Sequence, residues 1–381
     1  MAVTTPTLTQ TPALPGKHER LMALDIFRGL TIATMITVND PGIETHTYAP
    51  LQHARWNGIT PTDYVFPSFV FIVGISVALS CSRQMTQGAP RRQTILKIIR
   101  RALILFAIGV FLSTLPYFDF AGYRIPGVLQ RISLVYVACS LLFLNTGWKF
   151  QAGLAAAILL LYCMAMTLIP VPGYGYAILE PGKNLAAWLD SLVIPGKMWQ
   201  GSWDPEGILS TFPAIVTGID GLLVGHLLLS PLSKERKVIW LFFAGFFAYA
   251  IANAWHWWFP INKNLWTSSF VLYTSGLGSM ILAALIFLVD ILGHRRWAKF
   301  AIIFGSNAIA AYLTAEVFSD LLVVRWHGRD HGQSINEWMM EKILPTGISP
   351  ELLSFIWALA FCLLCFIPIY ILYKKKIFLK I

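Results

Sequence analysis

An all-α membrane bundle of about ten transmembrane helices, both termini cytoplasmic, is the fold this sequence predicts. Three observations predict it. Of 381 residues, 56% are hydrophobic and 13% charged, with a mean hydropathy of +0.63. A soluble domain carries roughly 25% charged residues, so this chain lacks the charge to cover a water-facing surface of its size. The apolar residues also come in runs of roughly 20, the length a helix needs to cross a hydrocarbon core of about 30 Å. Finally, the charges lie between those runs and are unequally shared between the two sides.

The first span is read over residues 21–39 and is the weakest, because Asp25 and Arg28 lie inside it. They are three apart and can pair on one helical face near the lipid boundary. Further spans follow at 64–82, 102–118, 126–144, 151–170, 207–231, 238–259, 267–292, 300–324 and 350–373. With connections alternating sides, 20 of the 29 Lys and Arg residues fall on one side. They cluster around Arg83–Arg101, Lys234–Lys237, Arg295–Lys299 and Lys374–Lys380. The positive-inside rule makes that side cytoplasmic.

Residues 1–20 are polar and rich in Thr and Pro; they read as a disordered cytoplasmic tail without a cleavable signal peptide. Residues 21–381 read as one transmembrane acyltransferase domain once the resemblance below is counted. The net charge of +10 resides in the inter-span clusters, so it signals orientation and no nucleic-acid partner is expected. Cys81, Cys139, Cys163, Cys362 and Cys365 sit in or beside apolar runs. The C-x-x-C of the last two has no further thiol or nearby His to make a metal or redox centre, and no metal is expected. No internal repeat is visible, which disfavours inverted-repeat transporter architectures.

The opposite side is rich in Trp, Tyr, Pro and Asn. Much of that tryptophan is what an interfacial belt requires, although aromatic faces also stack on sugar rings. Three stretches there are costly unless used. The first carries Asn39 and Asp40 at the end of the first span, then His53, Trp56 and Asn57, then Asp63 at the start of the second. Histidine changes charge near neutral pH and serves as a base; a carboxylate beside it can fix its tautomer. Asp63 also suits a helix cap. The second stretch places Gln130 and Arg131 inside a span, just after Arg124; an arginine there costs roughly 2.5 kcal/mol or more unless it meets a wet or anionic cavity. The third joins Trp203, Asp204 and Glu206 with Asn262, Lys263 and Trp266, two starts of membrane helices. Asp220, Asp290, Glu316 and Asp320 are further polar positions in or near the spans.

The run Arg20–Gly29, the stretch His53–Gly58 with Asp63, and Val65–Phe69 resemble the heparan-α-glucosaminide N-acetyltransferase family and its bacterial relatives. So do Ile125–Arg131, Asp204–Thr211 and Asn262–Thr267. The resemblance implies a transmembrane enzyme that takes acetyl from cytosolic acetyl-CoA and delivers it to the amine of a glucosamine-like sugar on the far side. It implies His53 and Asn39 as active-site residues, Asp63 as a family carboxylate, and Arg124, Gln130 and Arg131 near the donor. Asp40, Trp56, Asn57, Trp203, Asp204, Glu206, Asn262, Lys263 and Trp266 are then candidates for the acceptor. Whether the histidine carries the acetyl or acts only as base is left open.

The expected setting is a bacterial inner membrane, with the lipid bilayer and a second copy of the chain, as a homodimer, for partners. Two other functions fit the same polar positions. One is an amino-sugar permease without chemistry; the other is an O-acyltransferase acting on envelope polysaccharide.

Overall fold

The structure, a computed structural model, describes residues 21–115, 124–321, 335–343 and 347–379. The tail expected over 1–20 lies outside them. Thirteen α-helices and no strand occur among the described residues. They are α1 Met22–Asn39, α2 Val65–Thr86, α3 Arg91–Leu112, α4 Val128–Asn145, α5 Trp148–Leu168 and α6 Leu185–Val193. Then come α7 Ile208–Leu229, α8 Lys234–Trp255, α9 Ser268–Leu285, α10 Lys299–Ser306, α11 Ala308–Ser319, α12 Ile335–Ile343 and α13 Pro350–Lys374.

Seven of the helices, α2, α4, α5, α7, α8, α9 and α13, are long and apolar enough to cross a membrane. An eighth span results if α10 and α11, bent by 75° at Asn307, count as one. The first and third expected spans are also helices, but more polar ones: α1 carries Asp25 and Arg28, and α3 opens on Arg91, Arg92, Lys97, Arg100 and Arg101. Inside α1, Arg28 Nη1 lies 3.4 Å from Asp25 Oδ1, while Nη2 donates to Ser76 Oγ at 2.8 Å. The pair expected from spacing therefore also ties α1 to α2. This is a multi-pass membrane protein.

The helices meet through small residues, because lipid gives no hydrophobic drive for association and close backbone approach supplies the packing instead. At the contact of α2 with α7, a Cβ on Gly74 would overlap the Gly218 carbonyl, and one on Gly221 the Phe71 carbonyl. The contact of α1 with α10 is equally close at Gly29 and Gly305. The break at Asn307 is held by the chain after α13: Asn307 Nδ2 donates to the Ile377 carbonyl (3.0 Å), and the Leu379 N–H donates to Asn307 Oδ1 (3.0 Å). At the opposite end, the loops before α2, α4, α7 and α9 converge, and that convergence makes the site.

Candidate active site

Thr60, Pro61 and Asp63 spell a helix start: a cap residue, a proline in the first turn and an acid two residues later. The Asp63 carboxylate reaches back and accepts the Thr60 N–H (3.1 Å) and the Ala54 N–H (3.0 Å). Its other oxygen lies 2.7 Å from His53 Nδ1. Asp63 is 1% exposed, whereas the His53 side chain is 50% exposed. So the capping residue also anchors a histidine whose far edge is open.

Lys263, from the loop before α9, completes the group. Its Nζ is 3.1 Å from His53 Nδ1 and 3.5 Å from Asp63 Oδ1. An ammonium and an Nδ1–H cannot both donate to each other. A carboxylate accepting two backbone N–H groups is held in its ionised form, so the bridging proton belongs on Nδ1, and Lys263 directs its charge to Asp63. Nε2 is then left with its lone pair. Burial pushes the Lys263 ammonium below the ordinary lysine pKa, with Asp63 and then Glu206 acting in the opposite direction.

The surrounding loops are tied to one another by specific bonds. Asn262 Nδ2 donates to Asn57 Oδ1 at 3.1 Å, and the Gly58 N–H donates to the Ile261 carbonyl at 2.8 Å. Trp56 Nε1 donates to the Leu179 carbonyl (2.9 Å), and its ring meets Trp203 edge-on at 5.1 Å. Arg124 forms two bonds to Asp204 (Nε 2.7 Å, Nη2 2.5 Å), contacts Glu206, and lies 5.0 Å over Trp199. Glu206 in turn is within electrostatic reach of Lys263 and of Tyr312. The second and third sequence stretches thus join the first in one polar layer.

Arg131 is buried, 1% exposed. Nη2 donates to the Gly207 carbonyl (3.0 Å) and Ser210 Oγ (2.5 Å), and the guanidinium lies 5.1 Å over the Trp266 ring. Trp266 is itself fully buried and has φ 51°, a left-handed conformation that bulky residues rarely adopt. Asn262 enforces it by accepting the Leu265 N–H on Oδ1 (2.9 Å), while Trp266 Nε1 donates to Thr217 Oγ1 (3.1 Å). Asn262 and Trp266 therefore shape the floor of the layer. Gln130 is buried with its amide packed against Gly109 and Gly127.

Asn39 and Asp40 end α1, which packs on the turn holding Asp63. Asn39 is exposed, and no hydrogen bond among the described residues joins it to His53 or Asp63. Asp40 is half-buried beside Ser319 and Asp320; burial, then Asp320, push its carboxyl up to about 6 against the hydrogen bond from Ser319. Two contributors escaped the sequence reading. Asp190 of α6 accepts the Ile208 N–H at 2.8 Å and so caps α7; burial pushes it up to about 6. Tyr312 hydrogen-bonds Glu316 within reach of Arg124 and Glu206. Asp190 lay in a short amphipathic segment with no motif around it, and Tyr312 in an apolar run. Neither carried a local signal.

Residues 20–190 match the family model described as heparan-alpha-glucosaminide N-acetyltransferase, catalytic. That segment includes His53, Asp63, Arg124, Gln130 and Arg131. The heparan-alpha-glucosaminide N-acetyltransferases of Homo sapiens and Mus musculus are each 29% identical to this chain over 420 aligned positions. The alignments cover 95% of this chain and 60% of each relative, so the chain spans about 60% of the length of these curated relatives. The resemblance expected from the sequence is borne out.

Proposed function

We propose that this protein is a transmembrane N-acetyltransferase, passing acetyl from cytosolic acetyl-CoA to the amine of a glucosamine-like sugar on the other side. The observation that carries the reading is the His53–Asp63–Lys263 group: a half-exposed imidazole, anchored through Nδ1 at 2.7 Å, with Nε2 open. The two relatives, both heparan-alpha-glucosaminide N-acetyltransferases by name, support the same chemistry.

In this reading the amine nitrogen attacks the thioester carbonyl. A C–N bond forms and the C–S bond breaks. His53 Nε2 takes the proton from nitrogen and returns it to the departing sulfur, so coenzyme A leaves as the thiol. Asp63 fixes the Nδ1–H tautomer and stabilises the imidazolium. Asn39, exposed at the end of α1, donates to the carbonyl oxygen as charge develops there, a type of contribution worth roughly 2.7–4 kcal/mol. Trp56, Trp203, Asp204, Glu206 and Asn57 surround the acceptor, and Asn262, Lys263 and Trp266 hold that wall in place; Asp40 borders it. Arg124, Gln130 and Arg131 form the next wall, where the resemblance puts the donor. The His53 loop faces the periplasm of a bacterial inner membrane, and residues 21–381 act as one domain.

The test is purified full-length protein with labelled acetyl-CoA and methyl glucosaminide, scored for the N-acetyl product. His53→Ala should lower the rate by at least about 100-fold, the low end of a positioned base, while the protein still folds. Product formation by His53→Ala at the wild-type rate overturns the assignment. Uptake of labelled glucosaminide into vesicles without product would favour a permease instead.

A further inference from the structure

A groove of about 310 Å³ lies between α3, α4, the segment after α6, and the start of α7. That volume is at the lower end of the roughly 300–1,000 Å³ of small-ligand sites. Its walls include Phe106, Leu134, Phe212 and Ile215; Leu134 and Phe212 are 47% and 51% exposed on α4 and α7, two helices long and apolar enough to cross a membrane. The charged residues in its lining are Arg131 and Glu206. An apolar groove that opens to lipid and ends on charge is the shape of an amphiphile site.

The charged end has unspent bonding capacity. Arg131 is 1% exposed, yet Nε and Nη1 have no hydrogen-bond partner among the described residues. Two buried guanidinium donors without acceptors are costly unless a ligand supplies oxygens, and guanidinium is the side chain best matched to phosphate oxygens. The nearby carboxylates do not fill that need: Asp204 and Glu206 are engaged by Arg124, and Asp190 by the start of α7. Glu206, at the charged end of the groove, lies within electrostatic reach of Lys263, and Lys263 contacts His53.

We propose that the acceptor is an amino sugar carried on a phosphate-bearing lipid. The lipid chain lies in this groove, the phosphate meets Arg131, and the sugar amine extends toward His53. This rests on the acetyl-transfer reading and moves Arg131 from the donor side to the acceptor side. The acceptor is then a product of reactions that join sugars to lipid phosphates.

The experiment uses the full chain in lipid nanodiscs with labelled acetyl-CoA and three acceptors: methyl glucosaminide, undecyl glucosaminide and undecyl glucosaminyl phosphate. The KM is expected to fall at least tenfold from the methyl to the undecyl acceptor, and at least threefold again with phosphate. Enrichment of any amphiphile in the bilayer also lowers KM, so Leu134→Trp, which fills the groove without changing the bilayer, should remove most of the chain-length advantage. Equal KM values for all three acceptors, a phosphate-independent KM, or an unchanged advantage in Leu134→Trp would each overturn the proposal while leaving acetyl transfer standing. If no acceptor is acetylated, the transfer reading fails separately. An undecyl glucosaminyl phosphate with a terminal diazirine then decides the groove: crosslinks within residues 125–134 and 208–215 support it, and crosslinks spread over α8 and α13 overturn it.

Discussion

At the residue scale, two charges flank His53 with opposite effects on proton transfer. Asp63, 2.7 Å from Nδ1, favours the imidazolium, and Lys263, 3.1 Å away, opposes it. Asp63→Asn removes the favourable charge and no longer fixes the tautomer, so it should lower the acetyl-transfer rate by at least about tenfold. Lys263→Met removes the opposing charge and should cost far less. Burial lowers the Lys263 pKa, so any effect of losing its charge should shrink as the pH rises and wild-type Lys263 gives up its proton. A wild-type rate in Asp63→Asn, or equal losses in the two variants, would mean that the two groups do not act on the imidazole in opposite directions.

At the element scale, the glycine contact between α2 and α7 sets the distance between the two helices that follow Asp63 and Asp204 in the chain. Gly74→Val would drive a side chain into the Gly218 carbonyl and should cost about 1–3 kcal/mol, as overpacking does. Gly153→Ala in α5 is the control: a Cβ there meets nothing within 4 Å, so stability should hold or rise slightly. Unfolding by denaturing detergent, followed by circular dichroism, compares the two. Equal stability of both variants would mean that α2 and α7 separate freely and that the glycines have no packing role.

For the whole molecule, the uneven division of Lys and Arg predicts an orientation by the positive-inside rule. The His53 loop belongs to the end of the bundle poor in basic residues, and we expect it outside. Gln52 is exposed beside His53, so Gln52→Cys in a background with the five native cysteines replaced should react with an impermeant maleimide on intact spheroplasts. Labelling only after lysis would reverse the orientation and the direction of transfer.

Much of this was legible in the sequence because membrane helices and capping motifs are local. Apolar run length placed helices within a few residues of α2, α4, α5, α7, α8, α9 and α13, and Asp63, read as a helix cap, does start a helix and also holds His53. The spacing of Asp25 and Arg28 gave their pairing. Composition could not give the 75° bend at Asn307, since the residues that hold it lie some 70 positions later and no local propensity encodes them. Nor could it join Arg124 to Asp204, Lys263 to His53, or Asp190 to the start of α7. Those contacts bridge 80, 210 and 18 positions, and only the packing of glycine-lined helices brings their loops to one end. The sequence by itself therefore determined a helical membrane chain with a histidine and a carboxylate beside it. Tertiary structure decided which distant charges surround that pair, because an ion pair depends on separation in space and sequence spacing fixes that only within an element.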